Sequence, residues 1–445
     1  MSVRTAIDEV ESNVPGATGA PHEYGFETLA VHAGARPDPV TGARSTPIYQ
    51  TTSFVFDDSE HASELFNLQT FGYVYSRMTN PTVSVFEERI AQLEGGRGAV
   101  AAASGHAAQF LAAVTLLGPG DEFVSSRNLY GGSVTQFGVS FPKLGWKCHF
   151  VDPTDPENFE KAMTDKVRFF FCEGLANPGG IILDIERIAE IAHKHGVLLI
   201  VDNTLASPYL MRPFEWGADL IVHSTTKFIG GHGNTMGGIL IESGNIDWFG
   251  TDNYPGMSQP DHAYHGLTFA ETFGDFGFTM KVRMVALRDY GATLYPTAAW
   301  NLLQGVETLP LRMERHCSNA LAVAEYLEKH PKVTWVSYPG LKSNKFHELA
   351  KKYLPKGAGA VFTFGVKGGF DSGVAMIDGV ELHSHLANIG DTRSLILHPA
   401  STTHRQLTEE QQIGAGAGPD VVRLSVGIES VDDIIADLDQ ALARI

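Results

Sequence analysis

Two apolar runs in the middle of the chain each end in residues able to do chemistry. Leu198 to Val201 is an unbroken, branched run that predicts a strand buried on both faces of a parallel sheet; it ends in Asp202, followed by Asn203 and Thr204. Leu220 to Val222 is a second such run, ending in His223-Ser224-Thr225-Thr226-Lys227 before it breaks into Gly230-Gly231-His232-Gly233. In open α/β sheets a ligand sits just outside the carboxyl ends of the strands, so this acid and this lysine are expected to face one crevice. An amine, an acid and hydroxyls converging there suit pyridoxal phosphate: Lys227 condenses with its aldehyde, Asp202 pairs with its pyridinium nitrogen, and Ser224 and Thr226 serve its phosphate. A lone Ser-Thr-Thr-Lys is weak evidence, since most lysines are merely solvated. The strand-Asp and strand-Ser-x-Thr-Lys pair is far more specific.

Asp202-Asn203-Thr204 followed by Ser224-Thr225-Thr226-Lys227 resembles the cysteine/methionine-metabolism enzymes that use pyridoxal phosphate, and the resemblance runs from about Glu27 to the C-terminus. It implies an α/β chain with the type I fold of pyridoxal-phosphate-dependent transferases, like aspartate aminotransferase: a mostly parallel central sheet with a smaller α+β C-terminal domain. Residues 1–80 are then expected to be an N-terminal tail and extended arm contacting a neighbouring subunit, 81–295 the cofactor-binding α/β domain, and 296–445 the C-terminal α+β domain.

The same resemblance assigns further residues, each of which has a plainer reading when taken alone. Tyr75-Ser76-Arg77 precedes Asn80-Pro81-Thr82 and a helix pattern stopped by Gly95-Gly96. It reads equally as a solvated loop, but a phenol and a guanidinium fork together can grip a phosphate, and in the family this Tyr-x-Arg reaches a neighbouring subunit's cofactor. Ser104-Gly105-His106 joins a small-residue strand, Ala99 to Ala103, to a helix from Ala107 to Leu117. A glycine at a helix start lets anionic oxygens approach free N–H groups, so Gly105 and His106 are expected to bind phosphate through their amides.

Tyr130 takes the family position whose ring lies flat on the pyridine, where a core tyrosine is the rival reading. Gly132, two residues on, stands where the methionine γ-lyases of the family carry cysteine, a departure that argues against a lyase. Thr204 belongs to the cofactor-binding set, and Asn177 of an Asn-Pro pair takes the position that hydrogen-bonds the ring hydroxyl. Arg423, inside the alternating strand from Val421, needs an anion; the resemblance supplies the α-carboxylate of an amino-acid substrate, against a structural salt bridge. Many relatives have Ser-Leu-Gly where this chain has Asn388-Ile389-Gly390, so Asn388 is a candidate second contact to that carboxylate.

The implied activity is a γ-replacement joining O-acetyl-L-homoserine and sulfide to give L-homocysteine and acetate, with Lys227 as the base at Cα and Cβ, and with Tyr75, Tyr130 and Asp202 assisting. Rivals within the family use cysteine as nucleophile, use the succinyl ester, or eliminate without replacement. The partners expected are small molecules, an O-acylhomoserine with sulfide or a small thiol, and further copies of the chain in a tetramer built as a dimer of dimers with shared active sites.

Composition excludes other classes. At 445 residues, with 43% hydrophobic content and 47 glycines, the chain can bury a large core. A formal net charge of −18 argues against nucleic acid or an anionic membrane as partner. The three cysteines, Cys148, Cys172 and Cys317, have neither disulfide nor zinc spacing, so no metal is expected. Acids and the lack of an apolar segment in the first ten residues are unlike a secretory signal, so a cytoplasmic location is expected.

Three expectations concern connections. Residues 26–56 read as extended and irregular, 248–278 as a functional lid or binding loop, and the periodic pattern from Thr297 as one long helix passing Pro310 to about His330.

Overall fold

The computed structural model describes residues 24–176, 180–403, 405–406, 408–414 and 416–445. Seven strands form the first sheet: β1 (Gly98–Ala102), β2 (Glu122–Ser126), β3 (Lys147–Val151), β4 (Val167–Glu173), β5 (Leu198–Asp202), β6 (Leu220–His223) and β7 (Gly238–Glu242), in the spatial order β1-β7-β6-β5-β4-β2-β3. β7 runs antiparallel to both its neighbours and every other pair is parallel. β4 and β5 are buried almost throughout, which is why both read as continuous apolar runs.

Because β1 and β6 are both antiparallel to β7, their carboxyl ends lie on the same side as those of β5 and β4. Ser104, Asp202 and Ser224 are thus brought to one edge. A close approach makes this possible: Gly238 opens β7 directly beneath the Ser104 carbonyl, and a Cβ there would run into that oxygen.

Three helices matter for the site. Helix α1 (Pro81–Glu94) is capped by Asn80, whose side chain accepts from the Thr82 N–H at 3.0 Å, and it closes on left-handed Gly95. Helix α2 (Gly105–Leu116) is capped by Ser104, which accepts from the Ala107 N–H at 3.2 Å. Helix α3 (Ile185–Lys194) returns the chain to β5.

The chain from 297 to 330 is not one helix. α4 (Pro296–Glu307) stops at Thr308, and α5 (Leu309–Lys329) begins immediately after it. Pro310 has no N–H to continue the ladder, and its ring would meet the carbonyl four residues back, so it fits only in the first turn of a new helix.

A second sheet follows, of β8 (Val333–Ser337), β9 (Val361–Val366), β10 (Ser384–His385), β11 (Leu395–Leu397) and β12 (Val421–Ser425), in the order β8-β9-β12-β11-β10. β11 lies inside a stretch that reads as loop in the sequence, where three buried apolar residues suffice to pair with both neighbours.

Other connections differ from expectation too. Phe26–His32 and Ser59–Phe66 are short helices within what reads as an extended arm. The 248–278 segment is a series of short helical turns packed on the sheet, with Trp248, Tyr254, Met257, Phe269 and Phe278 buried in one cluster. Its Tyr254 hydroxyl accepts from the Leu198 N–H at 3.0 Å and donates to the Arg168 carbonyl at 2.5 Å. Leu198 begins the strand that Asp202 ends, so Tyr254 anchors this part of the segment at the end of the sheet opposite the crevice. Among the described residues no helix is long and apolar enough to cross a membrane.

Gly238→Ala is expected to force Ser104 away from β7, costing about 1–3 kcal/mol as an overpacked contact does. A thermal melt should fall by several degrees, and an unchanged melting temperature would show the approach to be loose.

Candidate functional site

The crevice at the carboxyl edge of the first sheet collects most of the expected residues. Asp202 is held from two sides. Thr204 donates to its Oδ1 through both the hydroxyl, at 2.5 Å, and the backbone N–H, at 3.0 Å, while Gln109 Nε2 donates to Oδ2 at 3.2 Å. Thr204 also accepts from the Ser224 N–H at 2.8 Å, which ties the acid-bearing loop to the lysine-bearing one. Ser224 lies against the start of α2, where a Cβ on Gly105 would stand only 2.7 Å from the Ser224 Cβ. Glycine at 105 therefore lets the first amides of α2, which the helix cannot use, open directly beside the Ser224 loop.

Thr226 is spent differently. Its hydroxyl donates to the Gly237 carbonyl at 3.2 Å and accepts from the Gly237 N–H at 3.1 Å, pinning the loop that enters β7.

Lys227 rises from the turn after β6, and its Nζ donates to Asn388 Oδ1 at 2.6 Å. Asn388 comes from the other sheet's side of the crevice, where Gly390 follows with φ +73°, and a Cβ there would press on the backbone of Lys227 and Phe228. Arg423, in the middle of β12, donates from Nη2 to the Asn388 carbonyl at 3.3 Å, and it forms no ion pair among the described residues. One residue therefore links the amine to the half-buried guanidinium. Burial, and then the positive charge of Arg423, bring the Lys227 amine down to about 8. Burial likewise lowers Arg423 to about 10.

Tyr130 is half exposed, and its ring stacks on His106 with centroids 5.7 Å apart and planes 29° from parallel. Its N–H donates to Glu173 Oε1 at 2.6 Å. Gly132 makes room for the pair, since a Cβ there would strike both rings. His106 Nε2 is buried with no hydrogen-bond partner among the described residues, and burial lowers the pKa of the ring.

Two expected residues are not drawn to the crevice by this chain. Tyr75 and Arg77 are exposed, with the guanidinium 5.2 Å from the centre of the Tyr75 ring. Asn177 lies outside the described residues.

Three supporting residues escaped the sequence. Gln109 could have been found, because it sits one helical turn after Gly105 on the same face. Glu173 ends the strand paired in register with β5, opposite Asp202. Glu94 is fully buried under the site, and its Oε1 accepts from Asn203 at 2.8 Å and meets His223 Nε2 at 2.6 Å. Asn203 follows Asp202 and His223 precedes Ser224, so the end of α1 steadies both loops at once.

The donor set fits pyridoxal phosphate. An amine of lowered pKa, a carboxylate anchored at a strand end, an aromatic face over a histidine, and a helix start opened by glycine are each of the kind that the cofactor's aldehyde, ring nitrogen, ring face and phosphate require. The Arg423 guanidinium, half-buried and without a carboxylate among the described residues, suits an added anion.

Comparison with known proteins agrees with that chemistry. The family model described as Cys/Met metabolism PLP-dependent enzyme matches residues 27–443. An O-acetyl-L-homoserine sulfhydrylase of Leptospira meyeri is 51% identical over 97% of this chain and 99% of that protein. A homocysteine synthase of Schizosaccharomyces pombe is 51% identical over 94% of this chain and 98% of its own. The crystal structure of an O-acetylhomoserine (thiol)-lyase of Campylobacter jejuni, holding a pyridoxyl-lysine monophosphate, matches with a TM-score of 0.91 at 41% identity, covering 94% of this chain and all of that one.

The lowered amine has a measurable consequence. Only the neutral amine attacks an aldehyde, so the rate at which apoprotein takes up pyridoxal phosphate should rise about tenfold per pH unit and level off above about 8, rather than near the 10.5 of an ordinary lysine. Arg423→Gln removes a positive neighbour and should move the bend to higher pH. Absorbance during uptake follows both, and a bend near 10.5 in the native chain would show that the amine is not depressed.

Proposed function

The chain belongs to the Cys/Met metabolism PLP-dependent enzymes, and we propose that its reaction is the γ-replacement that converts O-acetyl-L-homoserine and sulfide to L-homocysteine and acetate. The observation that carries this reading is the linkage of Lys227 and Arg423 through Asn388, which sets a base of lowered pKa beside a cation suited to an amino acid's carboxylate. The choice of ester and nucleophile rests on the names of the relatives that match nearly the whole chain.

Bound in the crevice, pyridoxal phosphate supplies an aldehyde for the substrate's amine and a ring that draws off charge. The chain's residues supply the rest. Asp202, fixed by Thr204 and Gln109, holds a proton on the ring nitrogen. Gly105 and His106 offer amides to the phosphate and Ser224 its hydroxyl, Thr226 pins the loop beside them through Gly237, and Tyr130 covers the ring face. Asn177 is assigned to the ring hydroxyl by its position in the family pattern. Arg423 grips the substrate's α-carboxylate with its guanidinium fork, and Asn388 stands next to both partners.

Lys227 is the base. An ester oxygen at Cγ leaves only after a proton has left Cβ, so one amine must serve Cα and then Cβ, which a flexible four-carbon stem can reach in turn. Returning those protons after sulfide has joined Cγ completes homocysteine.

Tyr75 and Arg77 are assigned to the crevice of a second copy of the chain, where the guanidinium meets phosphate and the phenol assists proton transfer or activates the thiol. Their exposure on this chain supports that role. The assembly proposed is a tetramer, a dimer of dimers in the cytoplasm, with each chain divided into an arm (1–80), a cofactor domain (81–295) and a C-terminal domain (296–445).

Purified holoprotein supplied with O-acetylhomoserine should release homocysteine and acetate rapidly with sulfide and much more slowly with cysteine. Without a nucleophile it should release little oxo acid. Faster turnover of the succinyl ester, or a dominant product carrying cysteine, would replace the reading with that of a relative. In the same assay Tyr75→Phe should lower turnover by about 10- to 100-fold, in line with the usual contribution of a proton-transfer group, while the cofactor stays bound. Unchanged turnover would remove Tyr75 from the mechanism.

A further inference from the structure

The turn that carries Lys227 ends abruptly. The Gly230 N–H donates to the Thr225 carbonyl at 2.9 Å and the Gly231 N–H to the Lys227 carbonyl at 2.7 Å, after which Gly231 leaves with φ +74°. A helical turn that stops so soon leaves its last carbonyls, here those of Phe228 and Ile229, without partners of its own. Helix α4 ends against the same spot, and a Cβ on Gly305 would stand 2.5 Å from the Ile229 carbonyl oxygen. The orphaned carbonyls of the turn therefore meet the carbonyl end of α4, where the Gly305 carbonyl already accepts from the Thr308 N–H at 3.3 Å.

Arg312, in the first turn of α5, caps the turn and ties it to the end of α4. Its Nη1 donates to the Phe228 carbonyl at 2.7 Å, and its Nη2 to the Ile229 carbonyl at 3.2 Å and the Gly305 carbonyl at 2.7 Å. Its Nε donates to the Thr308 hydroxyl at 3.2 Å. The side chain is 5% exposed, and the guanidinium meets no carboxylate among the described residues, only these neutral oxygens. A buried cation is costly without an anion, but at the carbonyl end of a helical turn it faces the negative end of the peptide dipoles. Gly231 is part of the same fit, since a side chain there would occupy the guanidinium's place.

We propose that Arg312 is a positioning residue for Lys227: by capping the Phe228 and Ile229 carbonyls it fixes the turn from which the lysine rises, and so sets the point its amine reaches. The proposal rests on the reading that Lys227 bears the cofactor. Arg312 touches neither substrate nor cofactor and acts through the backbone of the two residues after Lys227. The lysine's other restraint is the Asn388 carboxamide, so the side chain is held at its root by Arg312 and at its tip by Asn388.

The test compares Arg312→Met, Arg312→Lys and the milder Thr308→Val as holoproteins. Arg312→Met should lower kcat by about 10- to 100-fold, the scale of a small misplacement of a reacting group, with KM changed far less. It should also shift the pH at which the visible absorption of the bound cofactor titrates. Arg312→Lys should recover part of both and Thr308→Val should show a small loss of the same kind. A merely structural arginine would lower the melting temperature but leave kcat per loaded site and the titration unchanged, and that result would overturn the proposal. Should Arg312→Met fail to fold, native kcat and titration in the other two variants would overturn it equally. Borohydride reduction and peptide mapping of the unaltered holoprotein keep the two readings apart: a label away from Lys227 refutes the cofactor assignment, whatever Arg312 does.

Discussion

The structure depends on placing two cations side by side where water is scarce. Lys227 and Arg423 come from the two sheets' sides of the crevice, each is stripped of much of its hydration, and the guanidinium makes the amine's charge harder still to bear. The neutral state of the amine relieves that conflict, and it is also the state a nucleophile or a base requires. Asn388 is suited to hold such a pair because a carboxamide oxygen and a backbone carbonyl can accept from both without adding a charge. A carboxylate in its place would return the lysine to its ordinary protonation.

Much of the remaining architecture holds the parts of that conflict in place. The first sheet sets Asp202, Ser224 and Ser104 at one edge through strand order, and Glu94 ties the two loops beneath them through Asn203 and His223. The second sheet delivers Arg423 at mid-strand, where the ladders to β9 and β11 fix it on both sides. Gly390, Gly105 and Gly238 are the points where one backbone must come closer to another than any side chain would allow.

What the sequence made legible follows from what periodicity and motif can encode. The buried strands read as apolar runs, and the residues at their carboxyl ends, Asp202 and the Ser224 to Lys227 segment, lie in the crevice as expected. The approximate extent of α1 and α2 was legible as well, because Asn80, Ser104 and Gly95 are local signals. The break at Thr308 was missed because amphipathic spacing persists on both sides of Pro310, and the backbone rule outweighed it. The short helical turns of 248–278 escaped for the opposite reason: they are too short to show a period, although aromatic residues among them are buried. Gln109 was within reach of helical spacing from Gly105, but Glu173 and Glu94 were invisible because their partners are distant in the chain and carry no pattern of their own. The bridge through Asn388 could not be foreseen, since an asparagine in a loop says nothing of what its carboxamide will meet.

Tyr254 has a consequence for how the chain could have changed its length. Its hydroxyl occupies one backbone donor, at Leu198, and one backbone acceptor, at Arg168, at the closed end of neighbouring strands. Excising the surrounding segment would strand both peptide groups in the interior. A shorter variant must therefore bring in a substitute pair of polar atoms, or admit a solvent molecule, before the strands could start where they do.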